Sequence, residues 1–451
     1  MKCLEGNRGI LKVEDIIAAT GGEIISGNSA VFSGVSIDSR TIQEGELFVA
    51  LRGRRFNGHD FLQEAFRKGN GAIVNHSPAE VIEGKTLISV QDTLRALQEL
   101  ARHMRLRRDI PVIGITGSNG KTTTKELVAL VLSSTYKVLK NSGNLNNNIG
   151  LPLTLTMIRD DDEIAVLEMG ASGPGEIKEL CKIAMPNYGV ITNISPSHLE
   201  GFKDMETLRR TKLEILNDIN VAIVNADDSF LMDGFQSSVF NGRIFRYGIN
   251  NEAEVYATDI ESDEKGSVFI LHIGDKSIDV HPGIPGRFNI YNLLAAASVG
   301  YIFNIDMENI RHALESFNGV PMRFEIKEIN GLKIINDVYN ANPASMEEAI
   351  KELIRLRKRR AIAVLGDMLE LGSYEKEAHR RLIMWMSELP VDVFIAVGPL
   401  MSSGASEFRR EVHKLHNSLE ARKILKDICK EGDTVLIKGS RGMSMERILE
   451  P

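Results

Sequence analysis

Cysteine is scarce: Cys3, Cys181 and Cys429 are the only three in 451 residues. No two stand at CxxC spacing, which argues against a disulfide framework or a cysteine-built zinc site and fits thiols in a reducing compartment. Long apolar runs are missing as well. The most apolar stretch, NLLAAASVGYIF, falls short of the roughly 18 residues that cross a bilayer, and it carries Asn and Gly. The N-terminal MKCLEGNRGILKVEDI has no apolar core of signal-peptide length. A cytoplasmic chain without an intrinsic membrane anchor is expected. Nor is there an excess of positive charge: 54 Lys and Arg stand against 61 Asp and Glu, for a formal net charge of −7. That balance argues against nucleic acid as the main partner. It leaves room for a phosphorylated small molecule, which needs only local positive charge. There is no fixed-period repeat and no low-complexity tract.

What is present is ordinary globular material, 43% hydrophobic and 25% charged. At roughly 100–200 residues per domain, the length implies two to four domains. Three sections are legible. The first, 1–109, ends in DTLRALQELARHMRLRR, whose apolar positions Leu94, Leu97, Leu100, Ala101 and Met104 fall at helical spacing. Asp92 suits its N-cap, and the helix should stop before Pro111. The second, 110–318, opens with PVIGIT, a short apolar run that reads as a buried parallel strand. IAVLEM, YGVITNI and NVAIVNA repeat that pattern, with helical stretches between them, so crossover units and a parallel sheet covered on both faces are expected. Residues 253–282 read instead as a small antiparallel patch turning at Gly274-Asp275. The third section, 319–451, begins with two alternating runs around Asn330-Gly331, a tight-hairpin signal. AIAVLG, DVFIAVG and TVLIKG then form a second parallel α/β unit. The run RLRKRR at 355–360 suggests anion binding at first sight, but reads better as the solvated end of a helix.

The sharpest local feature is GITGSNGKTTTKE, residues 114–126. It follows an apolar strand and opens an amphipathic helix, the setting of a phosphate-binding loop. Gly117 and Gly120 permit the tight turn that aims backbone N–H groups at phosphate oxygens. Lys121 supplies charge for the β- and γ-phosphates, and Thr122 a hydroxyl for Mg²⁺. The usual GxxxxGK[ST] spacing is not strictly met, because Ile115 stands where its first glycine belongs. A dinucleotide-binding loop fits worse: GxGxxG is absent and Lys-Thr-Thr has no role there.

Two further residues fall at the same sheet edge. Glu168 ends the strand IAVLEM, and a carboxylate there is costly to bury unless it is paired or metal-bound. His198 follows the strand YGVIT; alone it reads as a structural loop histidine, beside Glu168 as a metal ligand or orienter. Lys212, in METLRRTKLEIL, reads as a solvated helix lysine, with nothing local to select it over Lys203. The triplet Asn146, Asn147 and Asn148 reads first as a turn. Tyr339, Asn340 and Asn342 read as loop and helix-cap residues, with Asn342-Pro343 a helix start. Lys438, Ser440 and Arg441 follow TVLIKG at a strand–helix junction, which serves as a plain cap or holds an anion.

Together, TGSNGKTTT, LEMGA, NISPSHLEGF with TKLEIL downstream, and GRFNIYN resemble the Mur ligase superfamily. SIDSRTIQEGELFVALRG, NLNNNIGLPLTL, DVYNANPASM, LGDMLELG and IKGSRGMSME resemble its branch that takes D-alanyl-D-alanine; NANPASM stands where the diaminopimelate- or lysine-adding branch carries a DNPR-like segment. The matches run from about residue 35 to the C-terminus. The resemblance implies an α/β fold of three domains: an N-terminal domain for the UDP end of the acceptor, a central parallel-sheet P-loop ATPase-like domain, and a C-terminal Rossmann-like domain that closes over the site. It implies an ATP- and Mg²⁺-dependent amide ligase. Its substrates would be UDP-N-acetylmuramoyl-tripeptide and D-alanyl-D-alanine, its product a peptidoglycan precursor, and its state a monomer. By resemblance, Ser39 and Arg40 belong to the UDP-substrate region and Asn146 to Asn148 to a substrate-side loop. Gly117, Ser118, Asn119, Gly120, Lys121, Thr122 and Thr123 form the triphosphate loop. Thr122, Glu168, His198 and Lys212 are metal-associated, Lys212 matching a lysine often carbamylated in the superfamily and so turned into an oxygen donor, and Lys121, Glu168, His198 and Lys212 form the catalytic set. Asn289 and Asn292 are adenine-side residues, with Phe288 where relatives often carry His. Arg323 and Asp337 reach the nucleotide, while Tyr339, Asn340, Lys438, Ser440 and Arg441 lie toward the substrates. No residue stands out as general base; His198 qualifies only if no metal occupies it. Sister ligases and a non-enzymatic nucleotide-binding module are the alternatives that the sequence leaves open.

Overall fold

The computed structural model describes residues 10–53, 55–76 and 84–450. Cys3 and most of the N-terminal segment considered above lie outside them. Three larger sheets follow one another along the chain, in addition to a two-stranded antiparallel pair, Leu11–Lys12 with Val31–Phe32. In the first section a five-stranded sheet runs Glu23–Ser26, Thr86–Ser89, Gly71–Val74, Leu47–Val49, Val35–Ser36, parallel except for the outer pair of Glu23–Ser26 with Thr86–Ser89. The predicted helix is Thr93–Leu106, and the Asp92 carboxylate accepts from the N–H groups of Leu94 and Arg95. Near its end the buried Arg105 donates from Nε to Ala184 O at 3.1 Å. It thereby satisfies a last-turn carbonyl of the helix Glu176–Ala184 and fixes the first section to the second.

The central sheet has nine strands, in the order Val138–Lys140, Ile164–Glu168, Val112–Thr116, Tyr188–Ile191, Val221–Asn225, Arg243–Gly248, Val255–Ser262, Ser267–Ile273, Lys276–Val280. The pairs are parallel as far as Val255–Ser262 and antiparallel beyond it. The antiparallel patch expected at 253–282 is therefore not free-standing. Tyr247 pairs in parallel with Val255, which extends the main sheet. Strand residues alternate between two cores, Ile113, Ile115 and Val166 facing one, Val112, Ala165 and Leu167 the other. The first core is covered by the helices Lys121–Leu132 and Arg287–Ile302. NLLAAASVGYI belongs to the latter, where burial of Leu293 to Gly300 explains its apolarity. Among the described residues no helix is long and apolar enough to cross a membrane.

The third section carries a six-stranded sheet in the order Glu325–Ile329, Leu332–Asp337, Thr434–Lys438, Ala361–Gly366, Val393–Val397, Glu411–Leu415. Its first pair is the predicted hairpin. Asn330 at φ 51° and Gly331 at φ 75° are both left-handed, as a tight turn matching strand twist requires. The basic run 355–360 is the exposed end of a helix, as expected, with Arg355, Arg357, Lys358 and Arg359 all exposed, and its side chains are also paired. Arg355 pairs with Glu352, Lys358 with Glu264 and Arg360 with Asp433, while Arg357 and Arg359 donate to the carbonyls of Pro390 and Glu431.

The third section closes onto the second at several points. Lys333, nearly fully buried, contacts Glu264, and Arg355 reaches Ser262 O. Glu200 N donates to Glu370 O at 3.1 Å. These contacts leave a cavity between the carboxyl ends of the central strands and the third section.

Candidate active site

The phosphate loop leaves the strand Val112–Thr116 and enters the helix at Lys121, with Gly120 at φ 80° as N-cap. Gly117, at φ 138°, packs so tightly that an added Cβ would lie 2.1 Å from Thr192 Oγ1. The loop is stitched to the segment after the next strand. Ser118 N donates to Asn193 O at 2.8 Å and Asn119 N to Asn193 Oδ1 at 3.0 Å. Ser118 Oγ donates to Ser195 O at 2.7 Å, and Thr192 Oγ1 to Asn119 O at 2.6 Å. The amides of Ser118 and Asn119 are thus already taken. The amides of Lys121, Thr122 and Thr123, at the start of the helix, have no i−4 carbonyl in it, and these residues line the cavity.

Lys121 Nζ donates to Gly117 O and Ser118 O, both at 2.9 Å. Burial pushes its pKa down to about 8; the charge of Glu168 opposes the shift and that of Arg323 adds to it. Glu168 is 2% exposed. Its Oε1 accepts from Asn146 Nδ2 at 2.7 Å, while Oε2 is buried without a protein partner. His198 sits at φ 52°, and its Nδ1 contacts the Glu370 carboxylate from the third section. Burial tends to raise the Glu370 pKa, but the His198 bond outweighs it and holds that carboxyl below its usual range.

Arg323 enters from the third section. Its Nη2 donates to Thr122 Oγ1 at 3.0 Å, and its guanidinium lies 4.0 Å from the Tyr339 ring centroid. Arg323 Nε, like Glu168 Oε2, is buried without a protein partner. An orphaned donor on a cation and an orphaned acceptor on a carboxylate thus share one cavity, an arrangement that calls for a ligand bearing both an anion and a cation.

Lys212 does not line the cavity but stands one layer behind it, 1% exposed. Its Nζ donates to Ala171 O at 3.2 Å and lies 5.3 Å from the Phe202 ring centroid. Burial, reinforced by the charge of Lys121 and opposed by those of Glu176 and Glu214, lowers its pKa to about 7. Lys203, its rival in the sequence, is exposed. The helix reading of Lys212 stands, but its solvated placement does not. The sequence pattern of a nine-residue helix did not report which side the cavity would take.

The cavity, of about 960 Å³, collects Ser118 to Thr123, Asn146, Asn147, Glu168, His198, Asn289, Asn292, Arg323, Asp337, Tyr339, Asn340 and Lys438. Asn292 Oδ1 accepts from Thr124 Oγ1 at 3.1 Å and abuts Gly120; Asn289 Nδ2 donates to Pro285 O at 2.7 Å. Lys438 Nζ donates to Asp337 Oδ2 at 2.6 Å and Asn340 O at 2.9 Å, a buried strut beneath the third section's rim. Ser39, Arg40, Asn148, Ser440 and Arg441 lie outside the cavity lining. Ser39 donates to Glu64, Arg40 pairs with Asp38, and Asn148 O accepts from Gln98 of the first section. Ser440 Oγ accepts from Leu369 N, and Arg441 pairs with Glu446. Two contributors were not singled out by sequence reasoning, Asn193, which organises the loop, and Glu370 on His198; Asn342 caps its helix as expected, but its bond to Asn119 was not foreseen. The segments NISPSH, LGDMLELG and NANPASM contained them, but no local rule joins those segments.

Three family models match consecutive parts of the chain: "Mur ligase family, catalytic domain" over residues 31–105, "Mur ligase middle domain" over 115–300, and "Mur ligase, glutamate ligase domain" over 322–441. The UDP-N-acetylmuramoyl-tripeptide–D-alanyl-D-alanine ligase of Bacillus subtilis is 37% identical over 434 residues, covering 93% of each chain. Among solved structures, a MurF from Acinetobacter baumannii superposes with a TM-score of 0.91 at 30% identity, covering 98% of this chain and 99% of that one. The MurF ligase of Thermotoga maritima in complex with ADP gives 0.81 at 30% identity, covering 92% and 96%.

Proposed function

Because the chain belongs to the Mur ligase family, we propose that it is the ATP-dependent ligase that joins D-alanyl-D-alanine to UDP-N-acetylmuramoyl-tripeptide, giving the pentapeptide precursor of peptidoglycan with ADP and phosphate. The observation that carries the chemistry is the pair of orphaned groups, Arg323 Nε and Glu168 Oε2, in the cavity where the phosphate loop ends.

A carboxylate does not acylate an amine unaided. The tripeptide carboxylate attacks the γ-phosphorus of ATP, ADP leaves, and an acyl phosphate forms. The amine of D-alanyl-D-alanine then adds to its carbonyl, and the tetrahedral adduct expels phosphate. Lys121, Arg323 and the first-turn amides of the helix stabilise the charge on the transferring phosphoryl group. Asn289 and Asn292 line the nucleotide end of the cavity, and Asp337 braces Arg323 by accepting from Phe324 N at 3.2 Å. Magnesium suits the donors present, because it takes few protein oxygens and completes its shell with water and phosphate. Thr122, Glu168 and His198 would hold it, and it would neutralise charge on the phosphates. With Arg323 already on Thr122 Oγ1, closure and cation binding share that hydroxyl.

The depressed pKa and burial of Lys212 support carbamylation there. The neutral amine adds to carbon dioxide, forming an N–C bond and releasing one proton, which turns a buried cation into an oxygen donor. On the substrate side, Ser39 and Arg40 take the UDP end of the acceptor, and Asn147 and Asn148 its peptide. Tyr339, Asn340, Lys438, Ser440 and Arg441 shape the third section's rim for the incoming dipeptide. This divides the chain into an acceptor-binding part, 1–109, an ATP-binding part, 110–318, and a closing part, 319–451. All contribute from one chain, which supports a monomer, and ATP with a nucleotide-linked acceptor supports a cytoplasmic reaction. Weighing the products of a mixture of protein, Mg-ATP, UDP-muramoyl tripeptide and D-alanyl-D-alanine, with each component omitted in turn, tests the reading. Pentapeptide should form only in the complete mixture. ATP hydrolysis without amide product would mark a nucleotide-binding module instead.

A further inference from the structure

Glu168 is the last residue of its strand, and its backbone is paired in an unusual way. On one side the strand Val112–Thr116 continues past it, with Met169 N donating to Ile115 O at 2.8 Å. On the other side the register with Val138–Lys140 ends at Val166 and Lys140. There the side chain of Asn141, 1% exposed, takes over from the strand. Its Oδ1 accepts from Glu168 N at 2.9 Å, and its Nδ2 donates to Glu168 O at 2.9 Å and Leu145 O at 2.8 Å. These partners fix which end of the amide is oxygen. Asn141 O in turn accepts from Nζ of the fully buried Lys125 at 2.6 Å, which ties this support to the phosphate-loop helix.

With the main chain clamped, the carboxylate retains only its side-chain rotations. Asn146 removes that freedom. Its Nδ2 donates to Glu168 Oε1 at 2.7 Å, and its own O accepts from Gly170 N at 2.8 Å, so Asn146 lies alongside Glu168 and Gly170. A Cβ on Gly170 would come within 3.0 Å of Asn146 Cγ, so glycine leaves the room that the amide occupies. One carboxylate oxygen is engaged, and the other, Oε2, is buried and free.

We propose that Asn146 is a positioning residue, which by holding Oε1 of Glu168 presents Oε2 alone to a divalent cation beside the phosphate loop. This rests on Glu168 being a magnesium ligand. It gives Asn146 a role different from direct contact with the peptide substrate, since its donor is spent on the carboxylate.

The test measures Mn²⁺ binding by electron paramagnetic resonance, with ADP present, in the wild type, Asn146→Ala, Gly170→Ala and Glu168→Gln. Loss of a partner that orients a metal ligand lowers metal affinity by about 10–100-fold. Asn146→Ala should show that loss, with unchanged ADP affinity in EDTA, an unchanged KM for the muramoyl tripeptide, and activity regained at high Mg²⁺. Gly170→Ala, which removes no polar group and stays outside the left-handed region, should weaken Mn²⁺ in the same direction by displacing the Asn146 amide. A raised KM for the tripeptide with wild-type Mn²⁺ affinity in Asn146→Ala, while Glu168→Gln still binds Mn²⁺ weakly, overturns the proposal and leaves the reading of Glu168 intact. Wild-type Mn²⁺ affinity in Glu168→Gln overturns that reading, and the proposal with it.

Discussion

Asn342 donates its side-chain N–H to Asn119 Oδ1 at 2.7 Å, joining the phosphate loop to a residue 223 positions later in the chain. Asn119 Nδ2 returns a longer contact to Asn342 Oδ1 at 3.4 Å. The same Asn342 oxygen accepts from Ser345 N, so one amide both starts a helix of the third section and touches the loop of the second.

This clasp is expected to contribute to closure. In a double-mutant cycle of Asn119→Ala and Asn342→Ala, read as kcat/KM for ATP-dependent phosphate release, the coupling should be about 0.5–1.5 kcal/mol. Strictly additive losses would show that the two amides act independently.

Lys121→Ala should lower ligation and ATP turnover together, by at least about 10²-fold, as expected for loss of a preorganised charge. Near-normal turnover in a folded variant would falsify the assignment of Lys121 to the transferring phosphoryl group.

Lys212→Ala should be inactive and should regain activity when formate or acetate supplies the missing carboxylate. Failure of rescue at any concentration counts against a carbamate. In the wild type the neutral amine that captures carbon dioxide grows as pH rises through about 7, so activity limited by carbamylation should increase across that range.

The same lysine carries a stability cost with a defined sign. Its folded pKa of about 7 lies below the ordinary 10.5. Above the unfolded value both states are neutral and there is no penalty. As pH falls through 10.5 the unfolded chain binds a proton that the folded chain refuses, and the penalty grows until pH reaches the folded value, below which it is constant. Lys212→Met should therefore raise the melting temperature at pH 7, and less so at pH 10, while abolishing ligation. In protein without the carbamate, an equal gain at both pH values would place the charge outside the fold's interior.

Gly117→Ala should unsettle the loop. The new Cβ would strike Thr192 Oγ1 at 2.1 Å in a backbone conformation that L-residues rarely adopt. Calorimetry should show a lower melting temperature and weaker ADP binding. A variant with wild-type values for both would mean that the loop rebuilds without cost.

Legibility varied with range. The strand, loop and helix around Lys121 were readable because glycine, lysine and threonine act within a few residues of one another, and the Asn330-Gly331 hairpin was readable for the same reason. The short strands of the first section were not foreseen. Runs such as Val35–Ser36 and Leu47–Val49 are too brief to display a period. At 253–282 the alternation was seen, but parallel pairing of Tyr247 with Val255 made the patch part of a larger sheet.

The amino-acid sequence by itself determined which backbone turns are possible, which runs seek burial, and, through family motifs spread along the whole chain, the kind of ligase this is. Tertiary structure alone decided that Lys212 is buried and Lys203 exposed, that Glu370 meets His198, and that Asn119 meets Asn342. The physical reason is that burial and desolvation are properties of what packs around a group. The pKa of Lys212 is set first by burial and then by charges such as those of Lys121 and Glu176, which come near it only when segments distant in the chain pack together.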